Sequence, residues 1–446
     1  MLRSLQSLFI GRQYQWLQEM QRTHRVWQDE ETGAWNVFHY DDVKHVLSDS
    51  ATFSSTRELD TEVSRQFSEN SFLRMDPPEH RRYRSLVSSV FTPRAISRRA
   101  ERIKAIVQEQ LDHVRASGTM EVVADLAYPL PVTVIAELLG LPAEDHDRFR
   151  GWAHMLLPRD ADGGADLPQA AREKLIQRLQ ANGGADLPQP AKERLIRHLQ
   201  SDDTTDLSSR EGNERLQRTL SIVREMNEYF LQKLEERRRL PQEDVLTGLL
   251  HAEVDGERLN TDEILGFCRL LLIAGHASTV ALLSTAILCL DEYPEVREQL
   301  RRHPELVPGA IEEVLRYAFV LKPLRRRTKT EVLIGDVRIP TNSSVLAWLA
   351  AANHDPAQFA DPERFDIMRS PNCHLTFGYG IHACIGAPLA RLEASIALPL
   401  MLEQLPQMRR VPGSPLEILE SGSFLWFRRL PITFLPSLSD QKDASC

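Results

Sequence analysis

Cysteine and basic charge are both in short supply, and each shortage excludes a class of protein. Five Cys in 446 residues are too few for a disulfide scaffold and suit the reducing cytosol. Lys and Arg total 54 against 63 Asp and Glu, a net charge of −9, whereas general nucleic-acid-binding proteins present a basic surface. With 42% hydrophobic residues, the chain can bury a large core without disulfides. We therefore expect a large globular cytoplasmic protein that binds no nucleic acid.

Long hydrophobic runs are also scarce. The N-terminal residues lack the apolar region and small-residue cleavage site of a signal peptide. One run, residues 270–290 (LLLIAGHASTVALLSTAILCL), contains no Asp, Glu, Lys or Arg and is long enough to cross a bilayer. The buried central helix of a soluble protein produces the same pattern. Because the run is solitary and polar at Ser278-Thr279, we favour a buried helix and expect no membrane association.

The boundaries of this central helix are marked in the sequence. Asn260 followed by Glu263 is the capping-box pattern, which predicts that the helix begins at Thr261. Tyr293-Pro294 predicts its end. A helix from Thr261 to about Leu290 is roughly 45 Å long at 1.5 Å per residue.

The remaining chain is mainly helical with small β regions near its ends. Residues 25–40 predict a hairpin that turns at Thr32-Gly33, and a short helix follows over 41–47. The pattern is persistently helical from Asp76 to about Tyr317. Later elements are predicted as a hairpin over 331–339, a helix after Pro388 and strands near 416–419 and 431–434. This order predicts a mainly α (α+β) fold in a single domain spanning 1–446.

An internal duplication lies within the helical part. Residues 163–180 (GGADLPQAAREKLIQRLQ) nearly repeat as 183–200 (GGADLPQPAKERLIRHLQ). Two copies are too few for a solenoid, which needs at least about three repeats. A duplicated surface insertion is the favoured interpretation, and a substrate lid is the alternative.

The segment 377–386, FGYGIHACIG, carries the strongest chemical signal. Three glycines surround Cys384 and permit a tight loop, which leads into a helical pattern near Pro388. A thiolate at a helix N-terminus is favoured by the dipole and by free N–H groups. The sulfur could therefore be a nucleophile or a metal ligand. Cys373 is eleven residues away and forms no CxxC pair, which argues against zinc.

This segment resembles the haem-binding signature of the cytochrome P-450 family, F-G-x-G-x-H-x-C-x-G, at every fixed position. Glu313-Val314-Leu315-Arg316 resembles the family's E-x-x-R, whose charges lie one helical turn apart. Residues 353–356 (NHDP) and 359–365 (FADPERF) resemble its meander segment. The resemblance covers nearly the whole chain from Arg25 onward and weakens over 158–206.

The resemblance implies a cytochrome P-450 fold with a long central helix over heme b (iron protoporphyrin IX). Cys384 would be the axial thiolate of the iron, within a loop shaped by Phe377, Gly378 and Gly386. Glu313 and Arg316 would form a structural pair. The haem propionates require cations, and the positions that match are His80, Arg84, Arg326 and His382.

The central helix departs from the family pattern. Residues 274–279 (AGHAST) align with A-G-x-[DE]-T-T, and the small Ala274-Gly275 pair would let the helix open so that O2 can bind. Ala277 stands where the family has a carboxylate, and Ser278 stands for the usual Thr. Ser278 and Thr279 are the candidate catalytic hydroxyls, and proton delivery would use water that they hold or an acid from elsewhere.

The implied function is a soluble, bacterial-type haem-thiolate monooxygenase that hydroxylates or epoxidises an apolar organic substrate with O2 and two electrons. Since the sequence has no flavin, dinucleotide or iron–sulfur motif, the electrons would come from a ferredoxin or flavodoxin with its NAD(P)H-dependent reductase. Basic runs at Arg81-Arg82 and Arg98-Arg99 could dock such a partner. We expect a monomer. The alternatives are a hydrogen-peroxide-driven peroxygenase, suggested by Ala277, and a haem sensor without turnover.

The substrate cavity is expected to be mainly apolar, compatible with fatty acids, terpenoids, steroids or polyketides. Its predicted walls are residues 57–73, 158–240, 271–278, 320–324 and a turn at 421–426.

Overall fold

The computed structural model describes residues 11–56, 71–156, 210–318, 322–421 and 424–436. The α-helices in these segments are α1 Gly11–Thr23, α2 Tyr40–Ser48, α3 Glu79–Val90, α4 Pro93–Ser97, α5 Ala100–Val114, α6 Pro129–Leu138, α7 His146–Leu156, α8 Arg210–Arg239, α9 Val245–His251, α10 Thr261–Glu292, α11 Pro294–Arg302, α12 Val307–Tyr317, α13 Leu349–Ala352 and α14 Ala387–Gln404. The strands are β1 Val26–Gln28, β2 Trp35–Val37, β3 Phe53–Ser54, β4 Thr119–Glu121, β5 Glu253–Val254, β6 Glu257–Arg258, β7 Leu324–Thr328, β8 Val332–Ile334, β9 Val337–Ile339, β10 Ser344–Ala347, β11 Arg409–Arg410, β12 Glu417–Ser421, β13 Phe424–Arg429 and β14 Pro431–Thr433.

The central helix α10 lies within the main hydrophobic core, as predicted. Both halves of the capping box form: the Asn260 side chain accepts from the Glu263 N–H at 2.9 Å, and the Glu263 carboxylate accepts from the Asn260 N–H at 2.9 Å. By length and composition this helix could cross a membrane, but 72% of its most apolar stretch is buried inside the protein. The buried interpretation of the hydrophobic run is therefore confirmed.

A five-stranded sheet joins strands from the N-terminal part of the chain, residues 26–54, to strands within residues 324–347. Its strand order is β1-β2-β10-β7-β3, and the predicted hairpin forms its β1–β2 edge. Strand β10 pairs parallel to β2, with Val345 opposite Trp35, and antiparallel to β7. Val37, Val345 and Phe53 are buried in the small core beneath this sheet. The sheet therefore fixes strand β7, which carries Arg326, beside the N-terminal segment.

The sequence analysis did not predict several of the short strands. Strand β4 interrupts the part predicted as persistently helical, because it pairs with β14 more than 300 residues later. The β5–β6 hairpin is also within that part. Strand β13 begins at Phe424, inside the segment 421–426 predicted as a turn, and pairs with β12. The hairpin predicted over 331–339 is confirmed as β8–β9. The duplication at 163–200 lies outside the described residues.

The helix α14, which follows Cys384, packs against α5, α10 and α12. Its buried positions include Leu389, Ala394, Ala397 and Met401. This packing anchors the helix N-terminus, and with it the loop that carries Cys384.

Candidate functional site

The loop before Cys384 depends on two of its three glycines. Gly378 and Gly380 have φ of 72° and 73°, a region that other residues rarely adopt. A side chain at Gly380 would also meet the backbone oxygen of Leu47 at 2.8 Å. Gly386 instead has an ordinary φ of −82°, so the expectation that it needs a special conformation is wrong. A Cβ there would lie 3.8 Å from the Cys384 sulfur, an ordinary contact.

The Cys384 side chain is accessible, and its loop closes on itself through the backbone. The Cys384 N–H donates to the Phe377 carbonyl at 2.8 Å. Burial by the surrounding protein raises the pKa of the Cys384 thiol, although hydrogen bonds from the Gly386 and Ala387 N–H groups and the charge of Arg84 oppose that rise. Coordination to a metal ion deprotonates a thiol, and backbone N–H donors beside the sulfur stabilise the thiolate that results. The loop geometry therefore fits a metal-ligand role for Cys384.

Four basic side chains gather beside this loop, and they are the ones the sequence predicted. The His80 and His382 rings lie 4.2 Å apart between centroids. Arg84 donates to the Ala383 carbonyl at 2.6 Å, and Arg326 donates to the Arg325 carbonyl at 3.0 Å. His80 is 2% exposed and Arg326 is 8% exposed. We call these four residues the basic cluster.

Among the residues that the structure describes, the basic cluster has no hydrogen-bonded anionic partner of the kind that buried cations require. His80 Nε2 and both ring nitrogens of His382 are buried without a hydrogen-bond partner in the described part of the chain. Burial, together with the neighbouring His80 and Arg326, lowers the pKa of His382 to about 3. Burial likewise lowers the pKa of Arg84 and Arg326. Unpaired buried cations are costly, so this cluster fits a ligand with acidic groups, such as the two haem propionates.

Asp76 is the carboxylate whose charge acts on the basic cluster, but its hydrogen bonds and its ion pair go to other residues. It accepts from the Ser54 hydroxyl at 2.6 Å and the Ser55 N–H at 2.9 Å, and pairs with Lys329 at 2.9 Å. Burial works to raise the pKa of Asp76, but these contacts outweigh it and the pKa is lowered. Asp76 therefore leaves the basic cluster free to bind another anion.

One face of the central helix α10 contributes Ala274, Gly275 and Ser278, which are at least partly accessible. The Ser278 hydroxyl donates to the Ala274 carbonyl at 3.0 Å. Ala277 and Thr279 are each only 2% exposed. Thr279 follows Ser278 by about 100° around the helix. The predicted pair of hydroxyls is thus split between two faces, and only Ser278 shares the accessible one.

Gly275 performs a packing role that the sequence did not reveal. A Cβ at this position would approach Ile135 Cδ1, in helix α6, to 2.3 Å. The helix is continuously α-helical from Thr261 to Glu292, so the expected opening at Ala274-Gly275 is absent. Gly275 instead permits close contact between α10 and α6.

The predicted Glu313–Arg316 pair is fully buried. Two hydrogen bonds of 2.8 Å join Arg316 to the Glu313 carboxylate, and both side chains are 0% exposed. Arg316 also donates to the backbone carbonyls of Asn353, Pro362 and Arg364. Glu313 accepts from the Asp366 N–H and from the Asn372 amide. The pair therefore holds the segment 353–372, which leads to the Cys384 loop.

The sequence analysis did not identify some residues that lie next to the site. Arg391, two helical turns after Cys384, lies over the Phe377 ring at 4.5 Å and pairs with Glu312, next to the expected Glu313. The available signal was a basic residue in the first turns of the helix that follows Cys384. Glu393 is buried with no hydrogen-bond partner among the described residues, and nothing in its sequence context indicated this. Arg82, expected as a free docking cation, pairs with Glu263 and Glu257.

Much of the predicted cavity wall lies outside the described residues, namely residues 57–70, 157–209, 319–321 and 422–423. Within the described part, Leu271, Ala274 and Ser278 lie on adjacent turns of α10.

Comparison with known proteins agrees with this geometry. A family model described as Cytochrome P450 matches residues 200–407. The chain is 37% identical over 407 residues to the putative cytochrome P450 YjiB of Bacillus subtilis (strain 168), covering 91% of this chain and 90% of that relative. It is 36% identical over 424 residues to cyclomarin C epoxidase CymV of Salinispora arenicola (strain CNS-205), covering 94% and 95%. The crystal structure of CYP109E1 from Bacillus megaterium with corticosterone matches with a TM-score of 0.78 at 34% identity, covering 94% of this chain and 98% of that one.

Proposed function

Because the chain belongs to the cytochrome P450 family, we propose that it oxidises an apolar organic substrate with electrons delivered by a separate redox protein. The chain is a haem-thiolate monooxygenase, an oxidoreductase with heme b as its cofactor. The observation that carries the proposal is the accessible Cys384 beside a basic cluster without anionic partners. When bound, the haem supplies oxygen activation and substrate oxidation.

The chain's own residues hold this cofactor and manage protons. We assign Cys384 as the residue whose thiolate would bind the haem iron, and His80, Arg84, Arg326 and His382 as the residues that would donate to the propionates. Phe377 and Gly378 shape the ligand loop, and Gly386 leaves its N–H free to donate to the sulfur. On α10, Ser278 is the hydroxyl positioned to hold water at the accessible face, where Ala274 presents only a methyl group, while Gly275 permits the close packing of α10 on α6.

The substrate is proposed to be apolar and of the size of a steroid or terpenoid. The accessible face of α10 offers Ala274 and the partly buried Ile273 rather than charged groups. The structures of CYP109E1 that this fold matches were determined with testosterone and with corticosterone. A screen of steroids, terpenoids, fatty acids and polyketides for shifts of the haem spin state tests this, and binding confined to charged compounds contradicts it.

The electron donor is proposed to be an acidic ferredoxin or flavodoxin, reduced by an NAD(P)H-dependent reductase. Helix α3 carries the exposed Arg81 on the same element as His80 and Arg84, and helix α4, followed by Arg98 and Arg99, packs against α14. These cations lie on elements that contact or precede the helices around the Cys384 loop, and we propose that they dock the acidic partner. Replacing Arg98 and Arg99 by Gln should slow reduction at low ionic strength and leave it unchanged at high ionic strength. We place the monomeric enzyme in the cytoplasm.

The test of the haem-thiolate site is spectroscopic. The reduced protein with carbon monoxide should show the red-displaced Soret band of thiolate ligation, and Cys384→Ala should abolish that band. Cys373→Ala is the matched control, since Cys373 is also exposed but lies outside the loop. A spectrum that Cys384→Ala leaves unchanged would exclude Cys384 as the ligand.

Hydrogen peroxide is the second candidate oxidant, favoured by Ala277 in place of the usual carboxylate. Product formed with peroxide alone is compared with product formed with ferredoxin, its reductase and NAD(P)H. We expect Ala277→Asp to raise the fraction of electrons recovered in product if acid delivery limits the reaction. An unchanged fraction removes the motive for the peroxide hypothesis, and no product with either oxidant favours a haem sensor.

A further inference from the structure

Three side chains behind Phe377 form a charged group that the signature does not include. The Glu312 carboxylate accepts two hydrogen bonds of 2.7 Å from Arg391. It also accepts one of 3.1 Å from His374 Nε2. The Thr376 N–H donates to His374 Nδ1 at 3.2 Å, so the proton of the neutral ring is on Nε2 and points at Glu312. We call Glu312, His374 and Arg391 the proximal triad.

Phe377 links the proximal triad to Cys384 through two successive contacts. The Arg391 guanidinium carbon lies 4.5 Å from the centroid of the Phe377 ring. The Phe377 carbonyl, in turn, accepts the Cys384 N–H at 2.8 Å. Arg391 lies in the second turn of α14, and Cys384 lies three residues before that helix begins. The cationic Arg391 therefore contacts the ring of the residue whose carbonyl accepts the Cys384 N–H.

We propose that the proximal triad sets the reduction potential of the haem held by Cys384, with Arg391 raising it and Glu312 moderating that effect. This inference rests on the proposed haem-thiolate site. Reduction adds one negative charge to the iron–thiolate unit, so a nearby cation favours the reduced form and a nearby anion opposes it. Burial would raise the Glu312 carboxyl pKa, but hydrogen bonds from Arg391 and His374 lower it to about 2. Glu312 is therefore charged throughout the neutral pH range.

Arg391 is a positioning residue in this scheme, since it acts through its charge and through Phe377. Its side chain is 42% exposed and that of Glu312 is 28% exposed, so solvent screens part of the interaction. We expect each charge to change the equilibrium constant for one-electron reduction by about threefold to tenfold, and tenfold corresponds to about 59 mV. The two charges act in opposite directions.

The test is a spectroelectrochemical titration of the haem-loaded protein. Arg391→Gln removes the positive charge and should lower the potential. Glu312→Gln removes the negative charge but keeps a hydrogen-bonding group and should raise it. The double variant should lie between the two single variants. Arg301→Gln is the control, because Arg301 forms a similar pair with Glu298 on helix α11 and should not move the potential.

Opposite shifts support the proposal, because a purely structural role would weaken stability in both variants without opposing potentials. Shifts of the same sign, or none, overturn it. If Arg391→Gln does not bind haem, Arg391→Lys, which keeps the charge, must hold the wild-type potential while Glu312→Gln raises it. The carbon monoxide spectrum of each variant is recorded first, so a failure of thiolate ligation is distinguished from a failure of this proposal.

Discussion

Glu393, in helix α14, is a buried acid whose two carboxylate oxygens have no hydrogen-bond partner among the described residues. Burial raises its pKa well above the ordinary value, so the folded protein retains a proton that the unfolded chain releases above about pH 4.3. The unfolded state then binds fewer protons, and stability falls as pH rises from that value towards the folded pKa. The residue therefore costs most stability at neutral and alkaline pH.

Glu393→Gln removes this pH-dependent cost. We expect the variant to gain about 1–2 kcal/mol in the free energy of unfolding at pH 8 relative to its effect at pH 4, measured by urea unfolding of the haem-loaded protein. Glu403→Gln, an exposed change on the same helix, is the control and should show no such difference. An equal effect of Glu393→Gln at both pH values would mean that the carboxyl is ionised in the fold.

Ser278 is the hydroxyl on the accessible face of α10, and Thr279 is not. Ser278→Ala should lower the fraction of NAD(P)H electrons recovered in product by about tenfold or more, because proton transfer by a positioned group contributes at least that much. Thr279→Val replaces a side chain that is 2% exposed and should leave the fraction within about twofold. Equal losses in both variants would show that the hydroxyls act together despite their different faces.

Among the elements, helix α12 is tied to the segment before the Cys384 loop by one buried ion pair. Removing one partner of a buried pair leaves the other charge uncompensated and costs about 3–5 kcal/mol. Glu313→Gln should therefore lower the free energy of unfolding by that amount and reduce haem retention, measured by the Soret absorbance during denaturation.

The matched control is Glu298→Gln, which breaks an exposed pair spaced like Glu313–Arg316, three residues apart. Its stability should change little, because water screens exposed pairs. If Glu298→Gln were as damaging as Glu313→Gln, burial would not be the reason for the effect.

Local patterns predicted the elements that local chemistry determines. The capping box at Asn260 and the hairpin over 331–339 depend on residues close in sequence, and both are confirmed. Strand β4 was missed because its three residues become a strand only by pairing with β14. Short-range patterns contain no information about such distant partners.

In the candidate site, too, local motifs revealed some residues, whereas the roles of others depend on tertiary packing. The positions of Cys384 and Glu313 were recognisable because their motifs are local. The split of Ser278 from Thr279 depends on how the helix is rotated against its neighbours, which an all-apolar helix does not indicate. The proximal triad depends on the packing of α14 against α12, and the pairing of Arg82 with Glu263 depends on contact between α3 and α10.

At the scale of the whole molecule, we expect that one copy of the duplicated segment can be deleted, because helices α7 and α8 on either side of it contact each other. Arg148 in α7 pairs with Glu225 in α8 at 2.8 Å. The Trp152 and Tyr229 rings lie 5.4 Å apart. About 33 residues would still connect α7 to α8 after deletion of residues 183–202, and a chain of that length can extend over roughly 100 Å, far more than the length of either helix.

We therefore expect the 183–202 deletion to keep the thiolate spectrum and to change the free energy of unfolding by less than about 0.5 kcal/mol, with one cooperative transition as for a single domain. The dissociation constants of apolar ligands, measured from spin-state shifts, should stay within about threefold of those of the full chain. A deletion that preserves stability but weakens ligand binding tenfold or more would instead assign the duplication to the substrate entrance, since a peripheral insertion has no contact with ligand through which to act.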